Sequence, residues 1–400
     1  MNKKLCFLLV SVLTILAVGL SSCAPAATAT TAPAAPAATT APAAPAATTA
    51  PAAPAATTAP ATNTSGSQQP TPTSYPVAKV SPDKVYIGMV QHSAIPYTNQ
   101  MKEGFDFACS DLKIKCDYNA PENIDPDSAI AMFETMLTLG TQAIMLNPAP
   151  PDAWTKEVQA ARSKGIIVNE MDNVSSPASG FNAYVMPDAF AAAKTLAETL
   201  FAQLKKSGVT SGKVVWGLCA PSYTGQQLRG KGFQAACDEQ KDFTCVGPSD
   251  THQTAEDDYS FWETTVLQNP DAVAFSGNCA FDGPNLAKLK KLNNAKWGIS
   301  TFDLEPDTLT GIQNGLITVG MGSNPYMNGY LATVLAYQHL TNGTPIGENL
   351  NIDTGSELVT KDNYAEYSAR VNDPNAEHQY ILNAMKSFPD LDSLLKPYNQ

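Results

Sequence analysis

From Val85 onward, short apolar runs alternate with longer segments of helical periodicity. Three runs in the first half are apolar at consecutive positions, as in strands that are covered on both faces: Val85–Val90, Ala143–Leu146 and Gly165–Val168. Helix-length segments lie near residues 98–111, 126–139 and 151–163. The pattern predicts parallel strands that are connected by helices.

The second half of the chain repeats this plan. Its predicted strands are Lys213–Leu218, Ala272–Phe275, Trp297–Phe302 and Leu316–Val319. Its predicted helices lie near residues 224–240, 255–268, 283–293 and 305–314. Strands that alternate with helices in two successive sets predict an α/β fold of two doubly wound parallel-sheet lobes.

Residue identities support a duplication of the two lobes. The segment Gly104-Phe-Asp-Phe-Ala-Cys109 is followed by Cys116, and Gly232-Phe-Gln-Ala-Ala-Cys237 is followed by Cys245. In each lobe the first cysteine is expected to end the first helix and the second to open the second strand. The same short bridge is therefore expected twice, as Cys109–Cys116 and Cys237–Cys245.

The remaining cysteines permit a third bridge. Apart from Cys6 and Cys23 near the N-terminus, the chain has six cysteines, an even number for an exported protein. Cys219 and Cys279 follow the first and third strands of the second lobe, which are neighbours in a 2-1-3-4-5 sheet, so we predict that they pair. The alternative is six buried free thiols. A zinc site is disfavoured because no CxxC or nearby His accompanies them.

The first 23 residues have the pattern of an export signal. Lys3 and Lys4 precede an apolar run from Leu5 to Gly19, which is short for a membrane span. The end of this run, Leu20-Ser-Ser-Cys23, resembles the lipobox of bacterial lipoproteins, in which the cysteine receives a diacylglycerol. We therefore expect Cys23 to be the lipid attachment site, and the alternative is an ordinary secretory signal.

Residues 24–82 are predicted to be a disordered Ala/Pro/Thr-rich tether. Three copies of Ala-Pro-Ala-Ala-Pro-Ala-Ala-Thr-Thr begin at Ala32, Ala41 and Ala50, and the stretch has one charged residue, Lys79. Such repeats favour polyproline II and reach on the order of 100 Å. The net charge of the chain, −12, provides no basic surface for nucleic acid.

Residues 83–360 resemble the ribose-type, type I periplasmic substrate-binding proteins of ABC transporters. The resemblance is carried, in order, by Ile95-Pro-Tyr97, Lys102-Glu-Gly104, Ala143-Ile-Met-Leu-Asn-Pro148, Gly165-Ile-Ile-Val168 leading to Asp172, Pro187-Asp188, Arg229-Gly-Lys-Gly-Phe233, Asn269-Pro-Asp-Ala-Val273 leading to Asn278, and Thr301-Phe-Asp303. Residues 361–400 extend past the usual end of this family.

The resemblance implies two lobes joined by three crossovers near residues 187–188, 322–324 and 353–356. Residues 83–187 with 324–354 would form the N-terminal lobe. Residues 188–323 with 355–400 would form the C-terminal lobe and its extension. The lobes would rotate as rigid bodies about these crossovers when a ligand binds.

Ligands of open α/β sheets bind outside the carboxyl ends of the strands. The strand ends and crossovers supply the candidate ligand-binding residues, and the resemblance implies that positions matching all but the last contact sugar: Gln91, Tyr97, Asp172, Asn173, Gln227, Asn278, Asp303, Ser323 and Asn324. Carboxylates accept hydroxyl hydrogen bonds, and amide side chains both donate and accept, which suits vicinal diols.

Two positions depart from the sugar-binding pattern. Asn173 and Gln227 stand where these proteins usually carry arginine, and Arg229 is expected to be structural as part of its Arg-Gly-x-Gly-Phe element. A cleft with two carboxylates and no arginine would be negative. It would then suit a neutral sugar or polyol, or a ligand that bears an amine.

The chain lacks the spacing of nucleotide-binding loops, and its four histidines are scattered. His92 lies near the predicted cleft and is expected to be a solvated loop side chain, and the alternative is that it contacts the ligand. We therefore predict no enzyme activity, no cofactor and no metal. The expected function is an extracytoplasmic, lipid-anchored monomer that captures a small polar solute, a sugar or polyol, for an ABC permease. The alternative is a lipoprotein that senses the ligand for a chemoreceptor or sensor kinase.

Overall fold

The computed structural model describes residues 75–388 and 390–398. The predicted signal, Cys23 and the tether up to residue 74 lie outside the described residues. Among the described residues, no helix is both long and apolar enough to cross a lipid bilayer.

The first lobe contains a seven-stranded sheet in the order β13-β11-β5-β4-β3-β1-β2. Its strands are β1 (Tyr86–Val90), β2 (Lys115–Asn119), β3 (Ala143–Leu146), β4 (Ile167–Glu170), β5 (Ala183–Val185), β11 (Leu350–Ile352) and β13 (Lys396–Pro397). The helices α1 (Pro96–Leu112), α2 (Pro126–Leu139), α3 (Thr155–Ser163), α9 (Pro325–Asn342) and α11 (Pro374–Met385) belong with this lobe.

The second lobe contains a six-stranded sheet in the order β12-β10-β9-β8-β6-β7. Its strands are β6 (Gly212–Leu218), β7 (Phe243–Asp250), β8 (Ala272–Ser276), β9 (Gly298–Phe302), β10 (Val319–Gly322) and β12 (Glu357–Thr360). Its helices are α4 (Ala189–Lys206), α5 (Thr224–Asp238), α6 (Ala255–Gln268), α7 (Asp282–Leu292), α8 (Pro306–Gln313) and α10 (Tyr364–Val371). Two doubly wound lobes and the 2-1-3-4-5 order of their parallel strands are confirmed.

Gly104 and Gly232, which match in the duplicated segments, explain the close packing of one helix pair in each lobe, α1 on α9 and α5 on α4. Gly104 on α1 faces the backbone carbonyl of Tyr326 on α9, and Gly232 on α5 faces that of Phe190 on α4. A β-carbon at either glycine would overlap that carbonyl oxygen. Absence of a side chain therefore lets the two helices of each pair approach closely.

The structure contains the three predicted disulfides, Cys109–Cys116, Cys219–Cys279 and Cys237–Cys245. The two short bridges join the first helix of each lobe to the second strand, as the duplication implied.

Two strands begin at least two residues later than their apolar runs suggest. Gly165 adopts a φ of +76° and its N–H donates to Arg162 at the end of α3, so β4 begins at Ile167. Residues 314–318 continue the turn after α8, and β10 begins at Val319. Polar Asn169 is part of β4, and its buried amide donates to the carbonyl of Ala332 on α9 at 2.8 Å.

Both ends of the described chain differ from the expected boundaries. The predicted tether reached residue 82, but Val77 is buried in the first lobe and the N–H of Val80 donates to Leu340. The expected boundaries place residues 355–400 with the second lobe. However, α11 packs on α9, and β13 pairs with β11 of the first lobe. The chain therefore returns between α10 and α11, a fourth crossing that adds apolar cover and an edge strand to the first sheet.

The three expected crossovers are hydrogen-bonded to one another. The N–H of Asp188 donates to Asp353 at 3.1 Å, and Thr354 donates to Asn328 at 2.6 Å. Asn324 has a φ of +47° and donates to the carbonyls of Thr354 and Gly355. These segments form a compact group through which the chain passes between the lobes.

Candidate functional site: the cleft between the lobes

A cavity of about 700 Å³ lies at the carboxyl ends of the strands, lined by residues of both lobes. From the first lobe it is lined by His92, Tyr97, Asp172, Asn173 and Tyr184, among others. From the second it is lined by Gln226, Arg229, Phe302, Asp303, Glu305 and Ser323, among others. The position is the one that sheet topology predicts for a ligand.

Two carboxylates occupy related positions in this cavity. Asp172 follows β4 and Asp303 follows β9, the fourth parallel strand of the first lobe and the corresponding strand of the second. Both adopt left-handed backbone, with φ of 62° and 65°. This conformation turns the chain sharply at the end of the strand, and aspartate tolerates it better than most residues.

Asp172 is oriented by first-lobe side chains. The amides of Asn147 and Asn173 donate to Oδ2 of Asp172 at 3.0 and 3.1 Å, and Nε2 of His92 lies 3.4 Å from the same oxygen. Tyr184 donates to the backbone carbonyl of Asp172 at 2.8 Å. All these side-chain contacts engage one carboxylate oxygen, so Oδ1 retains its capacity to accept from a ligand.

Asp303 lies deeper, with 8% of its surface exposed. Burial raises the pKa of Asp303 to about 6, Arg229 opposes the rise, and the negative charge of Asp172 adds to it. Burial also raises the pKa of Glu305 to about 7, with repulsion from Asp303 as a second cause. Asp303 and Glu305 therefore have too few hydrogen-bond donors to offset the burial of their ionised forms.

Arg229 supplies the one arginine among the lining residues. Its guanidinium donates to the carbonyl of Asn278 at 2.7 Å and to the hydroxyl of Ser323 at 3.2 Å. It also lies over the ring of Phe302, 4.0 Å from the centroid. The prediction that Arg229 is only structural is wrong in this respect, since its side chain borders the cavity and acts on Asp303.

Aromatic rings complete the walls. Tyr97 is 7% exposed, and its buried hydroxyl has no hydrogen-bond partner within the described part of the chain. Burial and the charges of Asp172 and Asp303 raise its pKa well above the usual range, so it is a neutral donor. Tyr184, Tyr223, Phe281 and Phe302 add apolar surface. Such rings suit the C–H faces of a sugar.

Five of the nine predicted ligand-binding residues line the cavity: Tyr97, Asp172, Asn173, Asp303 and Ser323. The other four, Gln91, Gln227, Asn278 and Asn324, are not among the lining residues.

Each of the four has another position in the fold. The amide of Gln91 contacts the sulfur atoms of Met89 and Met101 in the core, and that of Gln227 donates to the carbonyl of Pro221. Asn278 lies behind the wall, where its side chain donates to Gly217 and its carbonyl accepts from Arg229. Asn324 lies in the crossovers.

Sequence reasoning missed several lining residues. Gln226 stands next to the predicted Gln227, and His92 stands next to the predicted Gln91. His92 is 7% exposed and packs beside Asp172, so the expectation of a solvated loop side chain is wrong. Glu305 follows Asp303 by two residues, and that spacing was the available signal.

Within residues 75–388 and 390–398, no group of three or more His, Cys, Asp or Glu side chains is arranged to hold a metal ion.

Comparisons with known proteins match this architecture. The family model described as "periplasmic binding protein domain" matches residues 87–345. The xylose/arabinose-binding protein XylF of Sulfolobus acidocaldarius is 24% identical over 294 residues, which cover 68% of this chain and 70% of that protein.

Solved structures share the fold. An ABC transporter solute-binding protein from Burkholderia graminis, in complex with D-arabinose, has a TM-score of 0.66 and 23% identity, and the match covers 72% of this chain and 99% of that one. The XylFII–LytSN complex contains a chain with a TM-score of 0.60 and 20% identity, and the match covers 70% of this chain and 98% of that one. With two α/β lobes around a shared cleft and a family match over most of its folded part, the chain belongs to the periplasmic binding protein family.

Proposed function

We propose that this protein captures a small neutral sugar or polyol between its lobes and delivers it to an ABC importer. The observation that carries the proposal is the pair Asp172 and Asp303, two strand-end carboxylates from separate lobes that face one cavity lined with aromatic rings. Hydroxyl groups of a polyol would donate to both carboxylates, while the rings cover its C–H faces.

The charges of the cavity favour a neutral ligand over an anionic one. Asp172, Asp303 and Glu305 contribute up to three negative charges, and Arg229 contributes one positive charge. The guanidinium of Arg229 is already engaged by Asn278 and Ser323, so it is poorly placed to bind a ligand carboxylate or phosphate. A uronic acid or sugar phosphate would bring further negative charge beside buried carboxylates, which is costly.

The ligand-binding set that we propose consists of the lining residues. It retains Tyr97, Asp172, Asn173, Asp303 and Ser323 from the sequence, and it adds His92, Gln226, Arg229 and Glu305. Asn278 supports this set from behind through Arg229.

Hinge closure follows from the same arrangement. The lobes are joined by segments whose hydrogen bonds are concentrated near Asp188, Asn324 and Thr354. Because Asp172 and Asp303 belong to different lobes, a ligand that contacts both binds the closed form better than the open form. Compaction on ligand addition, measured by small-angle scattering, is the expected result.

The N-terminal region would keep the protein close to a membrane permease. Lipidation of Cys23 would hold the protein at the outer face of the cytoplasmic membrane, and the repeats after it would act as a spacer. Mass spectrometry of the N-terminal peptide tests this part, and an unmodified cysteine in exported protein would contradict it.

The primary test is mass spectrometry of small molecules that co-purify with the exported protein. We expect a neutral monosaccharide, disaccharide or polyol that is lost on denaturation. A retained anionic ligand, or an amino acid, would contradict the sugar assignment.

A sensing role is the second candidate, and it is favoured by the similarity of the chain to XylFII in its complex with LytSN. The two roles differ in the effect of deleting the protein. Loss of sugar uptake supports transport, whereas intact uptake with loss of the transcriptional response to the sugar supports sensing.

A further inference from the structure

One disulfide lies in the wall of the cleft. Cys219 and Cys279 both line the cavity, whereas the cysteines of the other two bridges are not among its lining residues. Cys219 directly follows β6, and Cys279 lies three residues after the end of β8. The bridge therefore joins two loops at the carboxyl edge of the second sheet, beside the proposed ligand.

The loop that carries Cys279 is firmly held. Its N–H donates to Oδ2 of Asp282 at 2.8 Å, and its carbonyl accepts from Thr301 at 3.3 Å. Asp282 is fully buried, and its other oxygen accepts from the indole of Trp262 at 2.8 Å. The neighbouring Asn278 is bonded to Gly217 and to Arg229. Residues of four elements, α5, β6, α7 and β9, thus hold this loop.

The loop that carries Cys219 has weaker support. Within residues 219–223, the described hydrogen bonds are local, such as those from Tyr223 to Ala220 and from Gln227 to Pro221. Tyr223 is the N-cap of α5 and provides no side-chain cap, whereas Asp188 caps α4 and Thr254 caps α6. This loop leads directly into the helix that presents Gln226 and Arg229 to the cavity.

The first lobe holds its ligand-facing loops by side-chain hydrogen bonds. There, Asn147 after β3 and Asn173 both donate to Asp172 after β4. In the second lobe, the carboxylate of Asp303 accepts only one described hydrogen bond, a long one from Ser323 at 3.5 Å. Here a covalent link joins the loops after β6 and β8, the strands that correspond to β1 and β3 of the first lobe.

We propose that the Cys219–Cys279 disulfide is a positioning element of the ligand site. The bridge ties the Cys219 loop and the start of α5 to the firmly held Cys279 loop and so restricts their motion. Gln226 and Arg229 are therefore held in place before the ligand arrives. Gln226 strengthens this link, since its amide donates to Sγ of Cys279 at 3.2 Å. Preorganisation of this kind raises affinity because less order is lost on binding.

The position of the Cys219–Cys279 bridge in the wall of the cleft has a second consequence, which rests on the proposed function. A sugar that closes the lobes would cover the sulfur atoms, so binding and reduction of this bridge oppose each other. Dithiothreitol would reduce the bridge to two thiols by donating two electrons and two protons, and it would itself be oxidised to its cyclic disulfide.

The first test uses the full-length exported protein without ligand. Hydrogen exchange is compared between wild type, the double variant Cys219→Ala/Cys279→Ala and the control Cys237→Ala/Cys245→Ala, which removes a bridge of the same lobe away from the cleft. We expect at least tenfold faster exchange in residues 219–229 of the cleft variant only. Unchanged exchange there, with the bridge removed, would overturn the positioning role.

The second test uses the wild-type protein and so does not depend on the folding of a variant. Reduction of each bridge by dithiothreitol is followed by alkylation and peptide mapping, with and without the tightest binder among D-xylose, L-arabinose, D-arabinose, D-glucose and D-galactose. We expect saturating sugar to slow reduction of Cys219–Cys279 at least tenfold and to leave the other two bridges unaffected. Equal reduction rates with bound sugar would overturn the proposal.

Calorimetry with the same sugar separates this inference from the proposed function. Affinity at least tenfold weaker in the cleft variant, with the control within twofold of wild type, supports the positioning role. Equal affinity in both variants overturns that role and leaves the sugar assignment intact. If none of the five sugars binds the wild type, the sugar assignment fails, and hydrogen exchange alone decides the role of the bridge.

Discussion

Asp172 and Asp303 adopt the same left-handed backbone, with φ of 62° and 65°, at the ends of corresponding strands in opposite lobes. The environments of their carboxylates differ. Asp172 is surrounded by amide donors from its own lobe, while Asp303 is buried beside Arg229 and has few donors. The duplicated fold therefore provides one carboxylate that is already oriented and one that depends more on the ligand.

Replacement of Asp303 tests this difference. Asp303→Asn keeps the size of the side chain but converts one acceptor oxygen into a donor, so we expect a ligand hydroxyl to lose its partner. The expected loss of affinity is about tenfold to a hundredfold, corresponding to roughly 1 to 3 kcal/mol. Titration calorimetry measures it, with exposed Asp307→Asn in the first turn of α8 as the control. Wild-type affinity in a folded Asp303→Asn protein would remove Asp303 from the site.

Ligand affinity is expected to depend on pH through Asp303. Its pKa in the folded protein is about 6, and hydroxyl donors favour the ionised form. Below pH 6 the ligand must displace a proton, so affinity falls, by about tenfold between pH 7 and pH 5 for one such group. Calorimetry at the two values measures the change. An affinity that rises on acidification would contradict the assigned role.

The stability of the ligand-free protein should change in the opposite direction. The pKa of Asp303 is raised above the usual value near 4, so between about pH 4 and pH 6 the folded state binds more protons than the unfolded state. This contribution to stability is lost as pH rises through that window. Thermal unfolding of Asp303→Asn should therefore show a shallower decline than wild type. An identical slope for the two proteins would exclude the raised pKa.

The C-terminal extension is expected to contribute to stability through Arg370. Its guanidinium pairs with Glu357 of β12 at 2.6 Å and with Glu377 of α11 at 3.1 Å, and the side chain of Glu377 is 5% exposed. Arg370→Met leaves these carboxylates without their cationic partner, at a cost of about 2 to 3 kcal/mol. Chemical denaturation measures the loss. Lys206→Met, which removes an exposed pair with Asp362, is the control and should change stability little.

The close helix pairs provide a further prediction. Gly104→Ala and Gly232→Ala each place a methyl group against a backbone carbonyl of the crossover helix. Each should cost more than about 1 kcal/mol, because the helices must move apart. Gln234→Ala, at an exposed position of α5, is the matched control. Unchanged unfolding midpoints in both glycine variants would contradict the packing described for these helices.

Much of the fold was predictable because its signals are local or repeated. Continuous apolar runs indicated buried parallel strands, and the matching Gly104 and Gly232 segments indicated two equivalent lobes. The extension after residue 360 was not predictable in the same way. Its α11 and β13 pack on the first lobe through contacts distant in sequence, and no repeated motif marks them.

Within the site, two of the four errors are shifts of one residue. Successive side chains at a strand end point to opposite sides, so Gln91 enters the core while His92 reaches the cavity. On a helix, one residue is a rotation of about 100°, so Gln226 lines the cavity and Gln227 does not. To assign the lining residues, strand boundaries and helix starts must be known to within one residue. Hydrophobic periodicity does not locate them that accurately.

The central claim is that the cleft binds a neutral sugar through Asp172 and Asp303. The most direct measurement is titration calorimetry of the full-length exported protein with D-xylose, L-arabinose, D-arabinose, D-glucose and D-galactose, together with D-glucuronate and D-galacturonate. We predict that at least one neutral sugar binds with micromolar or tighter affinity and that each uronate binds at least about a hundredfold more weakly than that sugar, because of the carboxylates in the cavity. Tighter binding of a uronate, or the absence of binding by every neutral sugar, would contradict the claim.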